Sequence, residues 1–370
     1  MHAAAVQVDS QQLFSPDYVS ARQRFGELAA NLGAVCERYP IEGKGPSGEQ
    51  LTIDFASFGP ADADRLLVIS SGLHGVEGYF GSAVQLDWMR ACVESDGAPA
   101  DVRCLLIHSL NPFGFAWSRR FDEQNIDPNR NFLLSGESYS GCDPMYRRLD
   151  GLLNPKRPPS RTDMFLIRAA WGVARYGKTS VKQAIAAGQY EYAQGVFYGG
   201  DGPSQTTQML QRHLPSWISS ARSVVHLDFH TGLGDWGSCK LLIDHSLTAS
   251  ECQRLDRWFG ANAYEEHGSD GVAYRSSGSF GRWCRDQRFA ADYIYACAEF
   301  GTYGNVRVLA GLRAENQAHH WAQPHDPRVA MAKANLREVF CPAAPSWRSS
   351  VLLESRELVQ RAIAGLQREC

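Results

Sequence analysis

The feature that most constrains this chain is a set of apolar runs that each end in polar residues. The runs are LLVIS, RCLLIHSL, VVHLDF and IYACA, and helical patterns lie between several of them. Buried strands that alternate with helices are typical of a largely parallel sheet covered on both faces. In such sheets ligands bind beyond the carboxyl ends of the strands. The sequence therefore predicts an α/β fold, a three-layer α/β/α sandwich, with a site at that edge.

The 370 residues show no internal repeat and no low-complexity segment that would mark a linker. We therefore expect a single domain over residues 1–370, with a helix-rich insertion at about 133–220. Within the insertion we predict helices over residues 144–153, 162–189 and 204–220. At the amino-terminal end we predict a helix over residues 18–38, followed by a turn rich in glycine and proline.

The composition restricts the kinds of binding partner and the cellular location that we expect. A net charge of −3 gives no reason to expect nucleic acid or an anionic membrane as a partner. The ten cysteines are scattered without a C-x-x-C pair, which favours reduced thiols and a cytoplasmic location. Neither a leader-like start nor a run of 18 apolar residues occurs. The oligomeric state stays open.

The turn SGLHGVEG, which follows the run at residues 66–70, holds His74 and Glu77. Its glycines allow a sharp turn and a close approach of the backbone to a ligand. A histidine and a carboxylate three residues apart at a strand end can bind a divalent metal. Ordinary loop polarity is the alternative for a single H-x-x-E.

A second strand end supplies a further histidine. In VVHLDFH the period of two places His226, Asp228 and His230 on one face. His230 is the last of them and lies nearest to the carboxyl end of the predicted strand, where we expect the site. Together with His74 and Glu77 it makes a two-histidine, one-carboxylate set that leaves a fourth zinc position for water. A histidine bonded within the core is the alternative.

Two further clusters carry chemistry. Arg119 and Arg120 offer planar donor groups suited to a carboxylate or an oxyanion, although surface arginines are the plainer interpretation. Glu299 ends the apolar run YIYACAE. Desolvation there should raise its pKa toward the range of a general base, unless it is a paired structural carboxylate.

The order of these motifs resembles the zinc carboxypeptidases of the carboxypeptidase A type. The order runs H-x-x-E, N-P-x-G, R-(x)8-N-R-N-F, a histidine at a strand end, and a glutamate at a strand end. The segments NPFGFAWSRRFDEQNIDPNRNF and EFGTYGNVRVLAGLRAENQAHH also resemble a bacterial branch catalogued as a domain of unknown function. The resemblance covers about residues 50–320 and implies a mixed, mostly parallel central sheet.

The resemblance also implies roles around one metal ion. His74, Glu77 and His230 would be the zinc ligands, with Zn²⁺ as the cofactor. Asp127 matches the acid that accepts a hydrogen bond from the first zinc histidine.

Further matches concern the substrate. Glu299 matches the general base, and Arg120 matches the arginine that stabilises the oxyanion. Asn129 and Arg130 match the pair that holds a terminal carboxylate. Tyr274 is nearest to the position of the mobile tyrosine.

These expectations describe a zinc metallocarboxypeptidase-like hydrolase, a protease that cleaves a peptide-like amide next to a free carboxylate. One alternative is an amidohydrolase that acts on N-acyl amino acids, as in the aspartoacylase and desuccinylase group. Another alternative is a catalytically silent binding protein that keeps the cleft. The expected partner is a peptide or an acylated amino acid.

Overall fold

The structure is a computed structural model that describes residues 10–95, 97, 99–218, 220–266 and 277–368. The strands in these residues are β1 Val35–Lys44, β2 Gln50–Phe58, β3 Arg65–Ser71, β4 Arg103–His108, β5 Ser223–Trp236, β6 Cys239–Ile243, β7 Tyr264–Glu266 and β8 Asp292–Gly301. The α-helices are α1 Tyr18–Asn31, α2 Gly78–Glu94, α3 Pro112–Ala116, α4 Pro144–Leu153, α5 Phe165–Tyr176, α6 Lys178–Ala186, α7 Gln205–Ile218, α8 Ala249–Trp258, α9 Phe280–Asp286, α10 Asn305–Trp321, α11 Pro327–Phe340 and α12 Pro345–Arg368.

The described strands form one mixed sheet in the order β1-β2-β4-β3-β5-β8-β6-β7. Strands β4, β3, β5 and β8 are parallel neighbours, whereas β1, β2 and β6 add antiparallel pairs. The predicted mixed, mostly parallel sheet is confirmed. Its four parallel strands bring their carboxyl ends to one edge.

Helices cover both faces of this sheet. Along β5, Phe229 packs against Phe80 of α2, with ring centroids 6.2 Å apart. His226, which points to the opposite face, packs against Phe280 of α9 at 5.5 Å. The three-layer arrangement predicted from the alternation of strands and helices is therefore confirmed.

A cluster of aromatic side chains packs next to the edge of the sheet at which the parallel strands end. Phe80 lies at its centre, with ring centroids 4.9 Å from Phe300 and 5.7 Å from Trp347. These rings join α2 and α12 to strand β8, and burying each is worth on the order of 2–3 kcal/mol. The cluster holds the strand that carries Glu299 against the helix that follows Glu77.

The predicted amino-terminal helix over residues 18–38 is too long. Helix α1 ends at Asn31, and Val35–Lys44 forms the edge strand β1. Most side chains of β1 are exposed and only Ile41 is buried. The strand therefore lacks the apolar alternation that would mark it in the sequence. Pro40 fits here because an edge strand needs fewer backbone donors.

The segment at about 133–220 contains the helices α4, α5, α6 and α7, which are joined by loops. Helix α4 has the predicted bounds, but the helix predicted over residues 162–189 is two helices, α5 and α6. They are separated by Gly177, whose φ of +84° is outside the helical region. The resulting bend lets both helices face the same cavity.

Among the residues that the structure describes, none of the helices has both the length and the apolar character that crossing a bilayer requires. The nine described cysteines are all free thiols.

Candidate metal centre and active site

The turn that carries His74 lies directly beside the loop that holds Arg119 and Arg120. Strand β3 leads into a single 3-10 turn, Gly75–Glu77. A Cβ atom on Gly75 would lie 2.2 Å from the backbone of Gly114, so only glycine fits there. The N–H of Gly75 donates to the carbonyl of Arg120 at 3.1 Å. The glycine turn therefore places Arg120 next to the metal-ligand candidates.

His74, Glu77 and His230 form a buried cage of donor atoms. Oε1 of Glu77 lies 2.9 Å from Nδ1 of His74, and Oε2 of Glu77 lies 3.1 Å from Nδ1 of His230. The two Nδ1 atoms are 3.2 Å apart. Zinc holds such ligands at about 2.0–2.2 Å, so neighbouring corners of its tetrahedron lie about 3.3–3.6 Å apart. The cage fits a small divalent cation after slight widening.

Glu299 faces this cage because of the strand register. In the parallel pair β5 and β8, His230 is directly opposite Glu299. Oε1 of Glu299 accepts a hydrogen bond from the N–H of Leu233 at 2.8 Å, which leaves Oε2 on the side of Cys297. Burial, followed by the charge of Glu77, raises the pKa of Glu299 to about 7.

The two glutamates of the site therefore differ in protonation. Burial also opposes the charge of Glu77, but His74 and His230 outweigh it and hold the pKa of Glu77 at about 2. Carboxylates whose pKa values are separated in this way are suited to different tasks. Glu77 is suited to bind a cation, and Glu299 is suited to exchange a proton near neutral pH.

Asp127 and Arg120 close the cage on the side of His74. Oδ1 of Asp127 lies 3.2 Å from Nε2 of His74, and Oδ2 accepts a hydrogen bond from Nε of Arg120 at 2.9 Å. Asp127 is fully buried. Burial opposes its charge, but Arg120 and His74 outweigh burial and keep its pKa well below the usual value. Nη2 of Arg120 lies 2.7 Å from Nε2 of His74, so this guanidinium is at the centre of the site.

Asn129 and Arg130 line the same cavity as the cage. Arg130 is 1% exposed; its Nε donates to the carbonyl of Ala186 at 3.0 Å, and its Nη1 donates to that of Asn129 at 2.6 Å. Oδ1 of Asn129 accepts a hydrogen bond from the N–H of Phe280. The pair is thus fixed by the backbone of two neighbouring elements. The remaining predicted residue, Tyr274, lies outside the described residues.

Asp228 belongs to the site, although sequence reasoning assigned it no role. Its Oδ2 lies 2.7 Å from Nε2 of His230. Ser70 and Tyr295 donate hydroxyl hydrogen bonds to the same carboxylate at 2.7 and 2.8 Å. The i, i+2 spacing of Asp228 and His230 in the sequence indicates that the two side chains lie on one face of the strand. It does not indicate that they form a hydrogen bond.

Arg119 points away from the cage. Its Nε donates to Oε1 of Glu315 and its Nη2 to Oδ1 of Asn125, both at 2.9 Å. The side chain is fully buried. Arg119 therefore joins the loop to α10 and does not line the cavity.

Comparisons with known proteins show the family and the fold of the chain. The family model described as a protein of unknown function (DUF2817) matches residues 14–354. No curated protein matches the sequence. The crystal structure of carboxypeptidase A from Helicoverpa armigera is 12% identical, with a TM-score of 0.51, over 96% of this chain and 74% of that chain.

A second structure, bovine thrombin-activatable fibrinolysis inhibitor in complex with tick carboxypeptidase inhibitor, is 10% identical with a TM-score of 0.51. It covers 98% of this chain and 99% of that chain. At such identities the likeness shows the fold. The family match, the mixed sheet and these two structures lead to one conclusion: the chain belongs to DUF2817, a family with a zinc carboxypeptidase-like fold.

Proposed function

We propose that the protein is a zinc-dependent hydrolase that cleaves a peptide-like amide bond next to a free carboxylate. The observation that carries this proposal is the buried cage of His74, Glu77 and His230 with Glu299 opposite it on the next strand. Two histidines and one carboxylate are a donor set that zinc prefers, and the set leaves a position for solvent or substrate.

When bound, zinc would supply a water molecule with a pKa near 7 and a Lewis acid for the scissile carbonyl. Glu299 has the raised pKa of a proton acceptor that can also release its proton. It would take a proton from the attacking water and return it to the leaving amine. Arg120 lies beside the cage and is placed to meet the negative charge that develops on the carbonyl oxygen.

Asn129 and Arg130 would select substrates that carry a carboxylate. Arginine is suited to this because its donors match the two oxygens of a carboxylate. The hydrogen bonds that Nε and Nη1 of Arg130 donate to the carbonyls of Ala186 and Asn129 hold its guanidinium in one orientation. A fixed orientation reduces the entropy lost on binding.

An N-acyl amino acid amidohydrolase is the second candidate. It would use the same residues and differ only in what lies on the acyl side of the bond. The observation in its favour is the apolar lining of the cavity beyond the cage. A peptide needs hydrogen-bond partners for its main chain, whereas an acyl group does not.

Metal analysis combined with the exchange Glu299→Gln tests the proposal. Both the unchanged protein and the variant should contain zinc in a one-to-one ratio, while hydrolysis of amide substrates falls by about 100-fold or more only in the variant. Glu42→Gln, an exposed exchange on β1, is the matched control. Zinc without turnover of any amide would favour a binding protein, and absence of metal uptake would refute the proposal.

A further inference from the structure

A cavity of about 270 Å³ extends from the metal cage beneath helices α4, α5, α6 and α10. Its wall on the cage side contains His74, Glu77 and Glu299. Away from the cage, its side chains are mostly aliphatic or aromatic, including Leu149, Leu153, Phe165, Val181, Ile185 and Leu309. The cavity is therefore polar at the site of chemistry and apolar beyond it.

Few side chains in the rest of this lining can form a hydrogen bond with a peptide. Lys178 and Asn305 are exposed and lie at the solvent side. Lys182 and Asp244 are half-buried, and Asp244 already accepts a hydrogen bond from the hydroxyl of Ser279. A peptide main chain that entered the apolar part would bury its amide groups among hydrocarbon side chains, which is unfavourable. A hydrocarbon chain has no such groups. The lining thus favours an acyl chain over a peptide.

The outer surface of α5 continues this apolar lining into solvent. Ile167 and Trp171 lie four residues apart on one face of α5 and are 62% and 63% exposed, and Met164, directly before the helix, is 58% exposed. These three side chains form an apolar stripe. Val173 lines the cavity and is also partly exposed, so it connects the two surfaces. Exposed apolar groups of this size that adjoin a cavity are typical of binding sites.

Basic residues border the stripe. Arg168 and Arg175 are exposed on α5, and Lys178 follows at the start of α6. Cations beside an apolar surface attract amphiphiles that carry a negative charge. An N-acyl amino acid is such a molecule, since it combines one carboxylate with one hydrocarbon chain.

We propose that the cavity receives a long unbranched acyl chain, which makes long-chain N-acyl amino acids the substrate class. This inference rests on the proposed hydrolase function for the reaction itself. Water would add across the amide, so that the C–N bond breaks, a C–O bond forms, and a fatty acid and a free amino acid are released. Arg130 binds the carboxylate of the amino acid while the chain lies beneath α4–α6.

A series of acyl chain lengths on one amino acid tests this class. With acetyl, hexanoyl, dodecanoyl and hexadecanoyl substrates below their micelle concentrations, kcat/KM should rise about fourfold per methylene until the cavity is full. Ala169→Phe narrows the cavity that Ala169 lines, and it should lower kcat/KM at least tenfold for dodecanoyl but not for acetyl substrates. Ala170→Phe, one residue along on the exposed side of α5, is the matched control. Equal rates for all chain lengths would overturn the inference.

A binding measurement separates this inference from the proposed function. Sodium dodecanoate, titrated by calorimetry into the full-length protein, should bind the unchanged protein and Ala170→Phe but not Ala169→Phe. If it does so while no amide is cleaved, the acyl-chain site stands and the hydrolase proposal fails. If peptides with a large apolar terminal residue are cleaved and dodecanoate does not bind, the hydrolase proposal stands and the acyl-chain site is wrong.

Discussion

Asp228 and His230 share a hydrogen bond of 2.7 Å between Oδ2 and Nε2, while Nδ1 of the same ring faces Glu77 at 3.1 Å. When a metal ion binds, the carboxylate of Asp228 would keep the proton on Nε2, so that Nδ1 would direct its lone pair into the cage. Carboxylate partners of this kind orient a histidine and increase its basicity toward a metal.

The exchange Asp228→Asn should weaken zinc binding by about 10- to 100-fold, because an amide can no longer enforce this tautomer. Competition with a chromophoric chelator measures the affinity. Ser70→Ala, which removes one hydrogen bond to Asp228 but keeps the carboxylate, should have a smaller effect. An affinity that is unchanged in Asp228→Asn would contradict the role given to this residue.

His74→Ala should abolish the stabilisation that zinc provides. A ligand at 100 times its Kd stabilises the folded state by about 2.7 kcal/mol, and the variant loses one of three donors. Thermal unfolding with and without zinc measures the difference. His325→Ala, an exposed histidine away from the cage, should keep the full response. Equal shifts in both variants would place the metal elsewhere.

Arg130→Ala should raise KM for carboxylate-bearing substrates and leave the zinc content unchanged. The free energy of unfolding should also fall by about 1–3 kcal/mol, because the carbonyl of Ala186 loses its donor. Arg119→Ala is a useful comparison, since Arg119 is equally buried but pairs with Glu315. That variant should lose stability without a change in KM. An unchanged KM in Arg130→Ala would remove the residue from the substrate site.

Stability should decrease in acid partly because of His108. Burial lowers the pKa of its ring to about 3; the ring stacks on Phe25 at 4.7 Å, and its Nε2 lies 2.9 Å from the hydroxyl of Ser82. Below about pH 6.5 the unfolded chain binds a proton that the folded chain excludes, so the free energy of unfolding falls as the pH falls, by about 1.4 kcal/mol per pH unit for this group.

Urea unfolding at about pH 7, 6 and 5 tests this dependence on the unchanged protein and on His108→Gln. Glutamine does not titrate and can still reach Ser82, so the variant should show a smaller loss on acidification. Profiles that run parallel for the two proteins would show that His108 does not contribute.

Much of the fold was predictable because strands buried on both faces are marked by apolar runs. The runs around residues 66–70 and 293–298 became β3 and β8. Strand β1 was missed because its side chains face solvent on an edge. The division of α5 from α6 depends on one backbone angle at Gly177, and a helical pattern on both sides hides it.

The sequence predicted which residues could meet, and the structure places His74, Glu77, His230 and Glu299 around one point. Their roles stay predictions. The contact between Asp228 and His230 was not predictable, because spacing along a strand gives the face of a side chain but not its rotamer. Nor could spacing show that Arg119 turns into the core and Arg120 does not, since this depends on Glu315 in a distant helix.

The hydrogen bond between Arg130 and the carbonyl of Ala186 has one more consequence. It attaches the group that would bind the carboxylate of a substrate to the end of α6, which would cover part of the acyl chain. A longer chain that displaced this helix would also move the guanidinium, so the two ends of a substrate would not be recognised independently.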